Sequence, residues 1–182
     1  MTADPRDEIV EHLGPLRAYA RSLARNHATA DDLVQDTVVK AWANIDKFKT
    51  GTNMRAWLFT ILRNTFYSLR RKRRREVADI DGEMAGKLAQ KPAHDGRLAL
   101  KEFAVAFAQL PDEQREALLL VGASGFSYEE AAEMCGVRVG TIKSRANRGR
   151  NKLAELLHLE EDDSLELTDL VTVAVVAAQP AA

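Results

Sequence analysis

Between Ser127 and Leu153 the chain reads SYEEAAEMCGVRVGTIKSRANRGRNKL, a spacing of cations suited to gripping the phosphates and base edges of duplex DNA. Ser127 followed three residues later by Glu130 forms a capping box, in which each side chain satisfies the other's orphan backbone N–H and starts a helix. Gly136 is placed to end that helix in a left-handed turn. A second helix is expected from about Val139. On it Val139, Ile142, Ala146 and Leu153 share one side, whereas Thr141, Arg145, Arg148 and Lys152 share another. Two short amphipathic helices about a glycine turn predict a helix-turn-helix, with Arg138, Thr141, Lys143, Ser144, Arg145 and Arg148 nearest to the DNA.

Arg70 to Arg75 is an unbroken basic run at the end of a long helical pattern. Adjacent cations repel one another unless a polyanion accepts them, so Arg63, Tyr67, Arg70, Arg71 and Arg74 are expected on duplex phosphates. Such contacts set affinity and register and carry little sequence information. A patch of opposite character lies upstream, where Asp31, Asp32, Gln35 and Asp36 fall on the exposed side of a helix. Helix-dipole stabilisation accounts for acids in a first turn but not for Asp36, which favours a partner surface.

The elements that must position these groups are helices. Ile9, Leu13, Leu16, Ala20 and Leu23 predict a first helix over about Asp7 to Asn26, behind Pro5. Thr29 with Asp32 reads as another capping box, opening a helix to about Asp46 with Val34, Val38, Ala41 and Ile45 inward. Lys47 to Asn53 is a loop around Gly51. A third helix starts at Met54, with Leu58, Ile61, Leu62, Thr65 and Leu69 inward and Trp57, Phe59 and Phe66 read as core. From Asp79 to Gly96 repeated Gly and Pro predict an interdomain linker. A second unit follows, with Leu100, Phe103, Ala104 and Phe107 inward, and Pro111 opening a helix through Leu120. The expected fold is all-α: domains 5–78 and 97–158, joined by a flexible linker at 79–96, with a disordered acidic-then-apolar tail at 159–182.

The formal net charge of −1, from 26 Lys and Arg against 27 Asp and Glu, averages strongly segregated segments. The two basic stretches matter more than the sum. The single cysteine, Cys135, excludes an intrachain disulfide and a thiolate zinc cluster, which fits a reducing cytoplasm. Its place at the end of the first reader helix suggests a small core residue. His12, His27, His94 and His158 are scattered, and no phosphate loop or nucleophile motif occurs, so no metal, cofactor, small-molecule substrate or enzymatic activity is expected. MTADPRDEIV does not read as a signal peptide, and the apolar run Leu170 to Ala178 is too short for a membrane helix.

The acidic helix ADDLVQDTVVKAW (Ala30 to Trp42), the helix NMRAWLFTILRNTFYSLRRKRRR (Asn53 to Arg75) and the reader LPDEQREALLLVGASGFSYEEAAEMCGVRVGTIKSRANRGRNKL (Leu110 to Leu153) resemble, in this order, the extracytoplasmic-function sigma factors of bacteria. The wording LLLVGASGFSYEEAAEMCG is similar to the general-stress sigma factors of alphaproteobacteria. The resemblance implies a promoter-specificity subunit of RNA polymerase. Asp31, Asp32, Gln35 and Asp36 would grip the polymerase core. The loop Lys47 to Met54 would capture an unstacked base of the −10 element, with Phe48, Asn53, Arg55 and Asn64 lining or bracing its pocket and Arg63, Tyr67, Arg70, Arg71 and Arg74 on adjoining phosphates. The helix-turn-helix would read a GGAAC-like −35 element, although Arg138 replaces the Ser or Pro frequent at this helix start. An anti-sigma partner is implied as well. Two alternatives remain at this point: a sigma-like mimic that sequesters the inhibitor, and a helix-turn-helix regulator that works without polymerase.

Overall fold

Leu16, Ala20 and Leu23 repeat every three or four residues, and all three are buried together with Tyr19. The computed structural model describes residues 5–24, 26–49, 51–78 and 96–159. In chain order these form α1 (Pro5–Glu11), α2 (Leu13–Ala24), α3 (His27–Ala43), a 3-10 turn (Ile45–Lys47), α4 (Met54–Ala78), α5 (Gly96–Gln109), α6 (Asp112–Leu118), a π turn (Leu119–Ala123), α7 (Tyr128–Cys135) and α8 (Val139–Leu157). The fold is all-α, with no strand among the described residues. α1 to α4 pack as one bundle, with Leu33, Val34, Leu58 and Leu62 buried. Buried Thr65 of α4 accepts a hydrogen bond from Lys40 Nζ of α3 at 3.0 Å, tying these two helices together. α5 to α8 form the second bundle, burying Phe103, Leu119, Leu120, Ile142 and Leu153. The expected linker lies outside the described residues except for Gly96, as does the tail beyond Leu159.

Four boundaries and one buried stripe differ from expectation, each for a local reason. The first helix is two, broken at His12, where Pro15 has no N–H to offer the Glu11 carbonyl and the His12 N–H closes a tighter turn on Ile9 O at 3.2 Å. α3 is capped by Asn26, whose side chain accepts from Thr29 N–H at 3.2 Å, so Thr29 lies within the helix and is not its cap. That helix also ends at Ala43, and its continuation tightens into the 3-10 turn that buries Ile45. Along α5 and the residue that follows it the buried stripe is Phe103, Ala106 and Leu110, three or four residues apart, which turns Ala104 to solvent. After α6 the helix widens, Ser124 N–H reaching back to Leu119 O at 2.8 Å, a wider turn than the plain helix expected there.

The reader folds as its sequence predicts. Ser127 Oγ accepts from Glu130 N–H at 3.1 Å while Glu130 accepts from Ser127 N–H at 2.9 Å, and Gly136 turns at φ +65°. Ile142, Ala146, Gly149 and Leu153 make the buried side of α8. Gly149 touches α6 so closely that a Cβ would stand 2.9 Å from Leu118 Cδ1.

Candidate nucleic-acid and polymerase interfaces

Because α8 buries Ile142, Ala146 and Leu153, its other side is left toward the surface. Thr141, Ser144, Arg145 and Arg148 line one groove of 440 Å³ together with Pro111 and Glu113. Arg145 is engaged within it: Nη2 lies 3.0 Å from Glu113 Oε2. Lys143 is drawn aside, its ammonium 5.6 Å from the Tyr128 ring centroid. Arg138 sits at the N-cap, exposed, without a side-chain capping bond, as expected from its departure from Ser.

On α3, Asp31, Asp32, Gln35 and Asp36 are all exposed. The earlier start at His27 moves Asp31 and Asp32 out of the first turn, which holds no acid. Dipole stabilisation therefore explains none of the three carboxylates. Val39 and Trp42, 67% and 53% exposed, continue the same face at helical spacing, with the Arg6 guanidinium 5.5 Å over the Trp42 ring. Sequence reasoning passed over these two, although apolar residues at positions where the stripe should be polar were a readable signal.

The loop before α4 turns at Gly51, φ +88°, and Asn53 caps α4 by accepting from Ala56 N–H at 3.1 Å. Phe48 packs on Trp57, centroids 5.3 Å apart. Asn53, Arg55, Arg63, Tyr67 and Arg70 converge on the second bundle. Asn53 Nδ2 donates to Glu130 at 2.8 Å, and the Arg55 guanidinium lies 4.8 Å over Phe126, whose ring meets Phe59 edge-on at 5.0 Å. Arg63 donates from Nε and Nη2 to the two oxygens of Glu116 at 2.8 and 3.3 Å, and Tyr19 OH approaches the same carboxylate at 3.4 Å. Tyr67 lies under Arg63, 4.8 Å from the guanidinium. Arg70 pairs with Asp112, which also holds Arg115 at 2.7 Å. Asn64, Arg71 and Arg74 stay exposed, away from this seam, and Arg71 donates to Ser68 at 3.2 Å.

The charges at the seam are stabilised by one another. Burial alone would lower the Arg63 pKa, yet Glu116 outweighs it and the net shift is upward. Burial opposes the charged form of Asp112, but Arg70 and Arg115 hold its carboxyl below the usual range. Burial, reinforced by Glu116, pushes Tyr19 and Tyr67 up, so both stay neutral hydrogen-bond donors. Cys135 lies beside Arg63 and Glu116, and burial raises its thiol to about 12.

Residues 9–76 match the Sigma-70 region 2 family and residues 100–153 match Sigma-70, region 4. The chain is 53% identical over 171 residues to the ECF RNA polymerase sigma factor EcfG of Rhodopseudomonas palustris, covering 94% of both proteins. The chain belongs to the ECF sigma factors. It resembles the sigma factor RpoE in its complex with the anti-sigma factor NepR from Bartonella quintana, with 54% identity and a TM-score of 0.78 over 87% of this chain and 99% of that one. CnrH in complex with the cytosolic domain of CnrY is similar at 32% identity and a TM-score of 0.62, over 84% and 86%. As a sigma factor the chain is a promoter-specificity subunit of RNA polymerase, and a regulator working without polymerase would leave region 2 without a role. No helix among the described residues is long and apolar enough to cross a membrane.

Proposed function

We propose that this sigma factor directs core RNA polymerase to general-stress promoters in the cytoplasm, through three separate surfaces. The α3 face of Asp31, Asp32, Gln35 and Asp36, extended by Val39 and Trp42, is the handle for the core. A protein partner buries an apolar centre within a polar rim, and this face has that composition. Residues 5–78 act as the −10 unit: Phe48, Asn53, Arg55 and Asn64 line or brace the pocket of the unstacked base, while Arg63, Tyr67, Arg70, Arg71 and Arg74 hold phosphates. Residues 97–158 act as the −35 unit, read by Arg138, Thr141, Lys143, Ser144, Arg145 and Arg148. Segment 79–96 tethers the two, so that joint engagement depends on promoter spacing.

The reading rests chiefly on one observation: the acids of α3 stand exposed, beyond the reach of the helix dipole, on a helix separate from the cationic α4 and α8. The identity with EcfG supports the stress assignment. The likeness to RpoE bound to NepR supports an anti-sigma partner of similar kind. Transcription start mapping with reconstituted holoenzyme tests it: starts downstream of GGAAC-like elements that depend on added sigma factor are expected, and a start pattern unchanged by its addition refutes it.

A further inference from the structure

We propose that the acidic segment 160–169 of this chain docks back on the cationic flank of α8 and competes there with the −35 duplex. From Arg138 to Leu157 the chain carries six Lys or Arg against the single acid Glu155, whereas residues 160–169, EEDDSLELTD, carry six Asp or Glu and no cation. The two stretches are neighbours of opposite sign. The segment lies outside the described residues, but the surface it would cover lies within them. Arg145, Arg148 and Lys152 recur three and four residues apart on one flank of α8. Arg145 is held by Glu113 and Lys152 by Glu155, whereas the exposed Arg148 is in no ion pair among the described residues. A carboxylate offers a guanidinium the same fork of two oxygens that a phosphate offers.

No local rule accounts for acids at this point of the chain. A helix C-terminus is the negative pole of its dipole, so Glu160 to Asp163 stand where charge of their sign is least welcome. Cations along α8 offset that cost. The exit from α8 is also defined: His158 turns at φ +53°, and its N–H and that of Leu159 close on Glu155 O and Ala154 O at 3.3 and 3.0 Å. Leu159 packs against the core, so the chain is bent off the helix axis one residue before the first acid. From Leu157 back to Arg145 is about 18 Å of helix, and ten extended residues reach about 33 Å. The segment is long enough to round the helix and lie along its flank. Exposed ion pairs are individually weak, but attachment to the end of the same helix keeps the acids at high effective concentration over it. The rival acceptor, Arg70 to Arg75, belongs to α4 of the other bundle and lacks that short tether.

The consequence rests on the −35 reading of α8, whereas the docking is measured without DNA. Three proteins are compared with the native chain: one ending at Leu159, one carrying Glu160→Gln, Glu161→Gln, Asp162→Asn and Asp163→Asn, and a control carrying Asp7→Asn, Glu8→Gln, Glu11→Gln and Asp46→Asn, four exposed acids of the first bundle. Circular dichroism checks that each keeps its helices. Fluorescence anisotropy on a labelled GGAAC duplex should show the first two binding about fivefold tighter than the control, the scale of a few exposed ion pairs. Zero-length carbodiimide cross-linking of the otherwise native Arg148→Lys chain, mapped by mass spectrometry on the monomer, should join position 148 to the acids of 160–169. Links to Lys72 of α4 in place of position 148, or no link from the segment at all, overturn the docking. Links at position 148 with affinities that match the control overturn the competition with DNA. Should none of the proteins bind the duplex, the −35 reading fails, and the cross-links still judge the docking.

Discussion

Arg145, proposed above to contact the −35 duplex, is held by a carboxylate of its own bundle. Its guanidinium lines the groove of α8 and is mostly covered, held 3.0 Å from Glu113. Arg145→Ala is expected to weaken −35 duplex binding by about 1–3 kcal/mol, the worth of a good bidentate base contact. Because α3 lies on the other bundle, pull-down by core polymerase should not change; loss of core binding would contradict the separation of the two surfaces. Asp112 makes a pH prediction with a definite sign. Arg70 and Arg115 hold its folded pKa below the unfolded value, so its contribution to stability, including the Arg70 pair between the bundles, is present above the ordinary carboxylate range and is lost as pH falls through the lowered folded value. Glu130 is lowered first by the Ser127 N–H of its own helix cap, and only its smaller Asn53 contribution crosses the seam. Scattering across an acid titration should therefore show the bundles parting below about pH 4, with a smaller acid-dependent component in Asp112→Asn. Equal titrations in the two proteins would remove Asp112 from the account.

Helix packing rewards spacing, and that is why most elements could be read in advance. The stripes of Leu16, Ala20 and Leu23, of Leu58, Leu62 and Thr65, and of Ile142, Ala146 and Leu153 are buried as their periods require. The Ser127 and Glu130 box and the Gly136 turn also formed as read, because all their partners lie within a few residues. The break at His12 was legible too, since Gly14 and Pro15 announce it, yet a strong apolar period masked it. What local pattern does not carry is the identity of a distant neighbour. Arg63 and Tyr67 look solvent-facing along α4, and only the fold shows Glu116 against them. Gly149 is a second instance: a glycine inside a helix usually weakens it, but here it lets α8 approach Leu118 of α6. Gly149→Ala, which would raise helix propensity on an isolated peptide, is expected to destabilise the folded chain by about 1–3 kcal/mol through overpacking. A thermal melt followed at 222 nm decides the sign, and a higher midpoint for Gly149→Ala would show that Leu118 gives way freely.

At the scale of the whole molecule, the seam between the bundles gathers an apolar contact, Phe59 against Phe126, and a ring of ion pairs around it. Removing one partner of a buried pair leaves the other charge stranded, so the two bundles should part as a unit and not by gradual loosening. Cys135, the sole cysteine of the chain, offers a direct reading of that event. Its thiol is buried at the end of α7, within reach of Arg63 from the opposite bundle, and its pKa is pushed up to about 12. With the bundles packed together both conditions for thiol reactivity are missing, because little thiolate exists near neutral pH and the sulfur is covered. Parting withdraws Arg63 and opens that side of the sulfur to solvent. Labelling of the native chain by a disulfide reagent at about pH 8 is therefore expected to be slow, and about tenfold faster in the Asp112→Asn, Glu116→Gln double variant as the thiol gains water and thiolate together. Glu102→Gln, an exposed change of equal charge on α5, should react at the native rate. A double variant that labels no faster than the native chain, while retaining its helical content, would mean that Cys135 is shielded by its own bundle alone and that the seam is not what protects it.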